Sequence, residues 1–167
     1  MARILIVYES LTGNTKKIAE TIFDSLDGEK AIQSVEDASD ADSYDLLFIG
    51  FPVHSHSIPF RVEKFLKSIK KYQNIAFFST HGSFTGSRLS SEAIEHATVI
   101  ASQARLLGTF SCRGKVSLQA MEVLSKSPEH QAWTEMAVSA RKHPDENDLE
   151  NAKEFAQRIM TLYLQSQ

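Results

Sequence analysis

Between two apolar stretches the chain reads Ser10-Leu11-Thr12-Gly13-Asn14-Thr15, which puts three hydroxyls, a carboxamide and one glycine into six positions. Where such a loop opens a helix, the free N–H groups of the first turn point outward and attract an anion. Gly13 lets the backbone come close and can take a positive φ. Read alone, the loop fits either an anion cradle or a plain turn with a helix cap. Two later loops carry imidazoles: Pro52-Val53-His54-Ser55-His56 and Thr80-His81-Gly82-Ser83-Phe84. The His54/His56 spacing could bring two ligands to one metal ion, but no cysteine or carboxylate nearby supplies a third. Contact with a polar ligand or simple loop polarity is the better reading of these histidines.

Other phosphate and nucleophile motifs are absent. A Walker loop needs Gly-Lys-Ser/Thr after a four-residue gap, and a dinucleotide fingerprint needs three glycines. A phosphorylated receiver needs acidic residues after the first and third strands, where only Glu9 is found. Gly82-Ser83-Phe84-Thr85-Gly86 is one position off a nucleophile elbow. The single cysteine, Cys112, sits in a predicted strand and reads as a small core residue. Arg61 and Arg88 read as solvated helix starts. Arg113-Gly114-Lys115 sits where a second anion could bind, and Trp133 reads as a packing or interface residue.

These loops need a scaffold, and hydrophobic spacing supplies one. Continuous apolar runs at 3–8, 46–51 and 75–78 predict strands buried on both faces. Weaker strands are expected at 30–35 and 109–112. Ile18, Ile22 and Leu26 are four apart and predict a helix from Asn14 that Gly28 closes. A second helix is expected at 60–70. A third is expected from Ser90 or Ser91 to about Leu107, ended by Gly108, and a last one at 149–164. Alternation of strand and helix predicts right-handed βαβ units in a doubly wound, three-layer α/β fold with a five-stranded parallel sheet. A single domain over 1–167 is expected, with a helical insert at about 115–147 carrying Met121, Val123, Leu124, Trp133, Met136 and Val138.

The 167 residues have a formal net charge of -3 with mixed signs and no basic stripe, so no nucleic-acid surface is expected. The apolar run Ile4–Val7 is far too short for a signal peptide or membrane span, and a lone cysteine fits a reducing, cytoplasmic setting.

Taken together, the sequence resembles the flavodoxin-like family over nearly its whole length. The resemblance rests on Ile4–Tyr8 followed by Ser10–Thr15, on Tyr44–Pro52 approaching the second loop, and on Ser79-Thr80-His81-Gly82. It implies the sheet order 2-1-3-4-5 and FMN as cofactor. The FMN phosphate would lie on Ser10, Leu11, Thr12, Gly13, Asn14 and Thr15. The ring would lie between Pro52-Val53-His54-Ser55-His56 and Thr80-His81-Gly82-Ser83-Phe84, with His81 as a hydrogen-bond donor to its edge. Two roles are implied: electron transfer with a partner redox protein, or NAD(P)H-dependent reduction of a small quinone-type acceptor. Carrier flavodoxins stack the ring between aromatics and are strongly acidic, and this chain is neither in the two ring loops nor overall. The insert could cover the flavin, bind a partner or pair two copies as a homodimer.

Overall fold

The computed structural model describes residues 1–54, 56–83 and 87–167. Ser55 and Phe84, both expected at the ring, lie outside the described residues. Five parallel strands form one sheet in the order β2-β1-β3-β4-β5. They are β1 (Arg3–Tyr8), β2 (Glu29–Ser34), β3 (Leu46–Pro52), β4 (Asn74–His81) and β5 (Arg105–Arg113). The helices are α1 (Asn14–Ser25), α2 (Phe60–Ser68), α3 (Arg88–Ile100), α4 (Leu118–Ser125), α5 (Gln131–Ser139) and α6 (Glu146–Gln165).

The sheet is covered on both faces, which is why its central strands are apolar at every position rather than at every second one. Ile4, Ile6, Phe48 and Phe78 face Ile18 and Ile22 of α1 and Phe155 and Ile159 of α6. Leu5, Val7, Ile49 and Phe77 face Val62 and Leu66 of α2 and Ala93 and Ala97 of α3. Each large side chain so buried contributes about 1.5–3 kcal/mol. At Gly50 the sheet has no room for a side chain, because a Cβ there would overlap the ring of its register partner Phe78.

Some boundaries differ from expectation. The third helix stops at Ile100, and Leu107 and Gly108 belong to β5. Side chains around it alternate with period two: Leu106 packs on the α2/α3 side and Leu107 on the α1/α6 side. The alanine spacing through Ala104 mimics a helix, but pairing with all of β4 prevails, with Leu107 as the extra residue of a bulge opposite Ile75/Ala76. Gly108 is there because α6 comes close: a Cβ would stand 2.8 Å from Ile159 Cδ1. The last helix starts at Glu146, earlier than Leu149. Asp145 and Asp148 form a capping box at its start, a local signal hidden by the polar run.

The stretch between β5 and α6 holds α4 and α5. Its two ends meet, since Lys115 N–H donates to the His143 carbonyl at 2.9 Å.

Candidate functional site

All three loops picked out in the sequence emerge at the carboxyl edge of the sheet, where open α/β folds bind ligands. Gly13 stands at the N-cap of α1 with φ 92°, and no side chain caps the helix. Ser10 Oγ accepts from Gly13 N–H at 3.1 Å, which tightens the loop. No acidic residue lies in the first turn. The helix start therefore presents donor groups and a positive dipole end to solvent. A Cβ at Gly13 would meet nothing within 4 Å, so the space beside it is open.

Within the loop the residues divide. Leu11 is 76% exposed. Thr15 is buried, and its hydroxyl bonds Thr80 Oγ1 at 2.8 Å. Its side chain thus joins α1 to β4, and its backbone N–H is what it offers to an anion. Asn14 Nδ2 donates to Thr12 Oγ1 at 3.1 Å and to the Lys115 carbonyl at 2.8 Å. The chain leaving β5 is thereby stapled to the loop. Gly114 allows this approach, because a Cβ there would lie 2.6 Å from Asn14 Nδ2.

One residue beyond Thr80, at the end of β4, a cavity of about 490 Å³ opens. This is within the ~300–1,000 Å³ usual for small-molecule sites. Val53, His54 and His56 border it from the β3 loop, and His81, Gly82 and Ser83 from β4. The far wall is apolar and comes from the insert: Val116, Ala120, Val123, Leu124, Trp133 and Met136. Trp133 has His130 stacked at 5.1 Å and 2°. The wall was not placed by sequence reasoning. The signal available was a set of apolar residues in the insert that the predicted sandwich left without a partner.

The β3 loop turns sharply, with His54 and Ser57 exchanging backbone hydrogen bonds at 2.8 and 2.9 Å. Pro52 ends β3, and Val53 N–H bonds the Thr80 carbonyl at 2.8 Å. His56, at φ 69°, pairs with Glu92 at 2.7 Å, and Ser57 Oγ with His96 Nδ1 at 2.6 Å. The loop is thus pinned to α3. Arg88 also pairs with Glu92, and Arg61 with Glu36, so both arginines are engaged in surface ion pairs.

His81 is 5% exposed. Its Nδ1 lies 3.0 Å from the Ser83 carbonyl. Ser83 Oγ lies 3.1 Å from the same Nδ1, so the carbonyl can accept from this nitrogen or the hydroxyl can donate to it, depending on the tautomer. The same carbonyl accepts from Arg113 Nε at 3.0 Å. Nε2 is buried and has no partner among the described residues. His81 thus borders the cavity with its ring held by Ser83. Burial above all, and the Arg113 charge as a further cause, hold its pKa below the ordinary 6.5. Because the folded-state value is depressed, the stability from keeping His81 neutral is complete above the unfolded value of about 6.5. It is lost as pH falls through the folded value. We expect urea midpoints to show a smaller decline for His81→Gln than for the wild type between about pH 7 and about pH 5.

Arg113 also reaches the Met136 carbonyl at 2.8 Å and Ser139 Oγ, so it links β4, β5 and α5 and is not a free anion site. Burial pushes the Cys112 thiol well above its usual range, which fits a core residue. Among the described residues no helix is long and apolar enough to cross a membrane.

Comparison with known proteins agrees with this architecture. A family model described as a flavodoxin domain matches residues 5–157. The flavodoxin-like domain-containing protein BilS of Clostridioides difficile (strain CD3) is 33% identical over 168 residues, covering 93% of this chain and 95% of that one. Oxidised flavodoxin 2 from Bacillus cereus superimposes with a TM-score of 0.63 at 24% identity, over 96% of this chain and 99% of that chain. A Fusobacterium nucleatum flavodoxin bound to flavin mononucleotide gives a TM-score of 0.66 at 12% identity, over 96% and 98%. The chain belongs to the flavodoxin domain family.

Proposed function

We propose that this protein binds FMN and transfers electrons through it to or from a partner redox protein. The observation that carries the reading is the uncapped start of α1 at Gly13 at the same sheet edge as a cavity bordered by the β3 and β4 loops. Ser10, Leu11, Thr12, Gly13, Asn14 and Thr15 hold the phosphate, chiefly by backbone N–H groups and the Ser10 and Thr12 hydroxyls. Val53, His54, His56, His81, Gly82 and Ser83 border the ring, with Pro52 and Thr80 fixing the two loops from the strand ends. FMN supplies the redox chemistry when bound; the chain sets its anchoring, its access to water and the polarity around it.

The purified protein tests this directly. We expect a yellow preparation, or a colourless one that turns yellow with added FMN and quenches its fluorescence at one equivalent. A protein that neither carries nor takes up FMN removes the reading.

No carboxylate lies between Pro52 and Pro59 or between Ser79 and Arg88. An acidic rim disfavours added negative charge on the ring, and its absence relieves that penalty. We expect reduction at a less negative potential than in a flavodoxin with acidic ring loops, titrated in the same cell. A strongly low-potential couple contradicts this.

The apolar insert wall supports a second reading, NAD(P)H-dependent reduction of a small quinone-type acceptor inside the cavity. Steady-state NAD(P)H oxidation with a soluble quinone and no partner protein separates the two. Turnover favours the enzyme, and silence favours the carrier.

A further inference from the structure

The chain's single tryptophan stands in the wall that the insert gives to the cavity. Two helices build that wall. α4 brings Ala120, Val123 and Leu124 to it, and α5 brings Trp133, Met136 and Ala137, each set spaced i, i+3, i+4 on one helix face. Arg113 holds α5 to β5 through the Met136 carbonyl at 2.8 Å, so the wall has a fixed place beside the sheet. The His130 ring lies parallel to the indole, at 5.1 Å and 2°, and braces one of its faces. Trp133 is nonetheless 45% exposed. With one face braced, the other face and the edges are what the indole offers to the cavity.

The lining also bears on the charge of an occupant. Among the described residues no carboxylate, lysine or arginine borders the cavity. A charged ligand would lose water there without gaining a counter-ion, so a neutral one is favoured. His54, His56 and Ser83, at the β3 and β4 loops, suit neutral carbonyl or hydroxyl groups. An aliphatic molecule would gain the same apolar burial but no ring-on-ring contact, which favours an aromatic by up to about tenfold. We propose that Trp133 is the stacking platform of a subsite for an uncharged, planar, aromatic electron acceptor of quinone type, separate from the place of the flavin ring at the two loops. The inference deepens the enzyme reading above and rests on FMN as the source of electrons.

The probe is 2,3-dimethyl-1,4-naphthoquinone, which has no free quinone-ring position for a thiol to add to, and decalin-1,4-dione is its saturated counterpart. Equilibrium dialysis against the FMN-loaded protein measures both. Trp133→Leu, which keeps apolar bulk, should weaken the naphthoquinone about five- to tenfold and the saturated dione by less than about twofold. Trp133→Phe, which keeps a ring, should retain most of the naphthoquinone affinity. The wild type gives a readout independent of any variant. Its one indole N–H resonance should shift as the naphthoquinone is added to the FMN-loaded protein, following the dialysis isotherm. Equal losses of the two probes in Trp133→Leu overturn the proposal, since the wall would then be merely apolar. Absence of naphthoquinone binding also overturns it and leaves FMN binding standing. So does displacement of the naphthoquinone from the apoprotein by FMN, which would give the indole to the flavin ring. Failure of FMN itself to bind overturns the acceptor role together with the reading above.

Discussion

Replacing Gly13 by aspartate should weaken FMN binding by roughly a hundredfold and leave riboflavin binding within about twofold. The new carboxylate enters open space beside the helix start, where no atom lies within 4 Å of the built Cβ. There it faces the phosphate. Two like charges about 4 Å apart at an effective dielectric of ~20 repel by roughly 4 kcal/mol, and the exposed position reduces this to about 3 kcal/mol. The positive φ of 92° adds a conformational cost of about 1 kcal/mol, which affects folding and not the choice between ligands. Titrating both flavins against both proteins isolates the phosphate term. If riboflavin weakens as much as FMN, the loop does not hold the phosphate. The same titration in high salt should narrow the gap, since the helix start is exposed to screening.

Gly50→Ala should lower stability by about 3 kcal/mol, at the upper end of overpacking costs. The added methyl would sit where the Phe78 ring now lies, and Phe78 is fully buried between the sheet and its helices. Neither strand can withdraw, because β3 and β4 are paired from Leu46 to Pro52. A fall of roughly 6–12 °C in Tm follows for a chain of this size. Urea unfolding should show a lower midpoint with an unchanged slope. The companion variant Phe78→Leu vacates the space, so the double variant should recover much of the loss. A purely additive result would show that the two positions do not compete for one volume.

Much of this architecture could be read from residue types. Ile4–Val7 and Leu46–Ile49 are apolar at every position, and only a strand covered on both faces needs that. Ile18 and Ile22 repeat at a helical period, and Ser10–Thr15 marks the turn between strand and helix. What could not be read depends on contacts between distant parts of the chain. The end of α3 was obscured because Ala101 and Ala104 continue a helical spacing, and only pairing with β4 pulls Arg105 onward into a strand. The surroundings of His81 were hidden because nothing local in the sequence says what holds its ring. Its Nδ1 meets both the carbonyl and the hydroxyl of Ser83, and that carbonyl is held by an arginine thirty residues away in sequence. The cavity wall was hidden for a related reason. The apolar residues of α4 and α5 give only weak helical signals, and their purpose appears when the sheet edge they cover is in view.

The bond between Lys115 and His143 has a further meaning. It draws the two ends of the insert into a neck, so that residues 116–142 leave and rejoin the scaffold at one point, with Arg113 tying α5 back to β5. An appendage with adjoining ends can be removed or exchanged while the scaffold keeps its path. Bridging Lys115 to His143 with two glycines should leave a cooperatively folding sheet that has lost one wall of its cavity. Transplanting 116–142 into a relative at the same junction should carry that wall across. In descent, such a part can change its lining at a different pace from the core that supports it, so new preferences for electron donors and acceptors can arise on an unaltered scaffold.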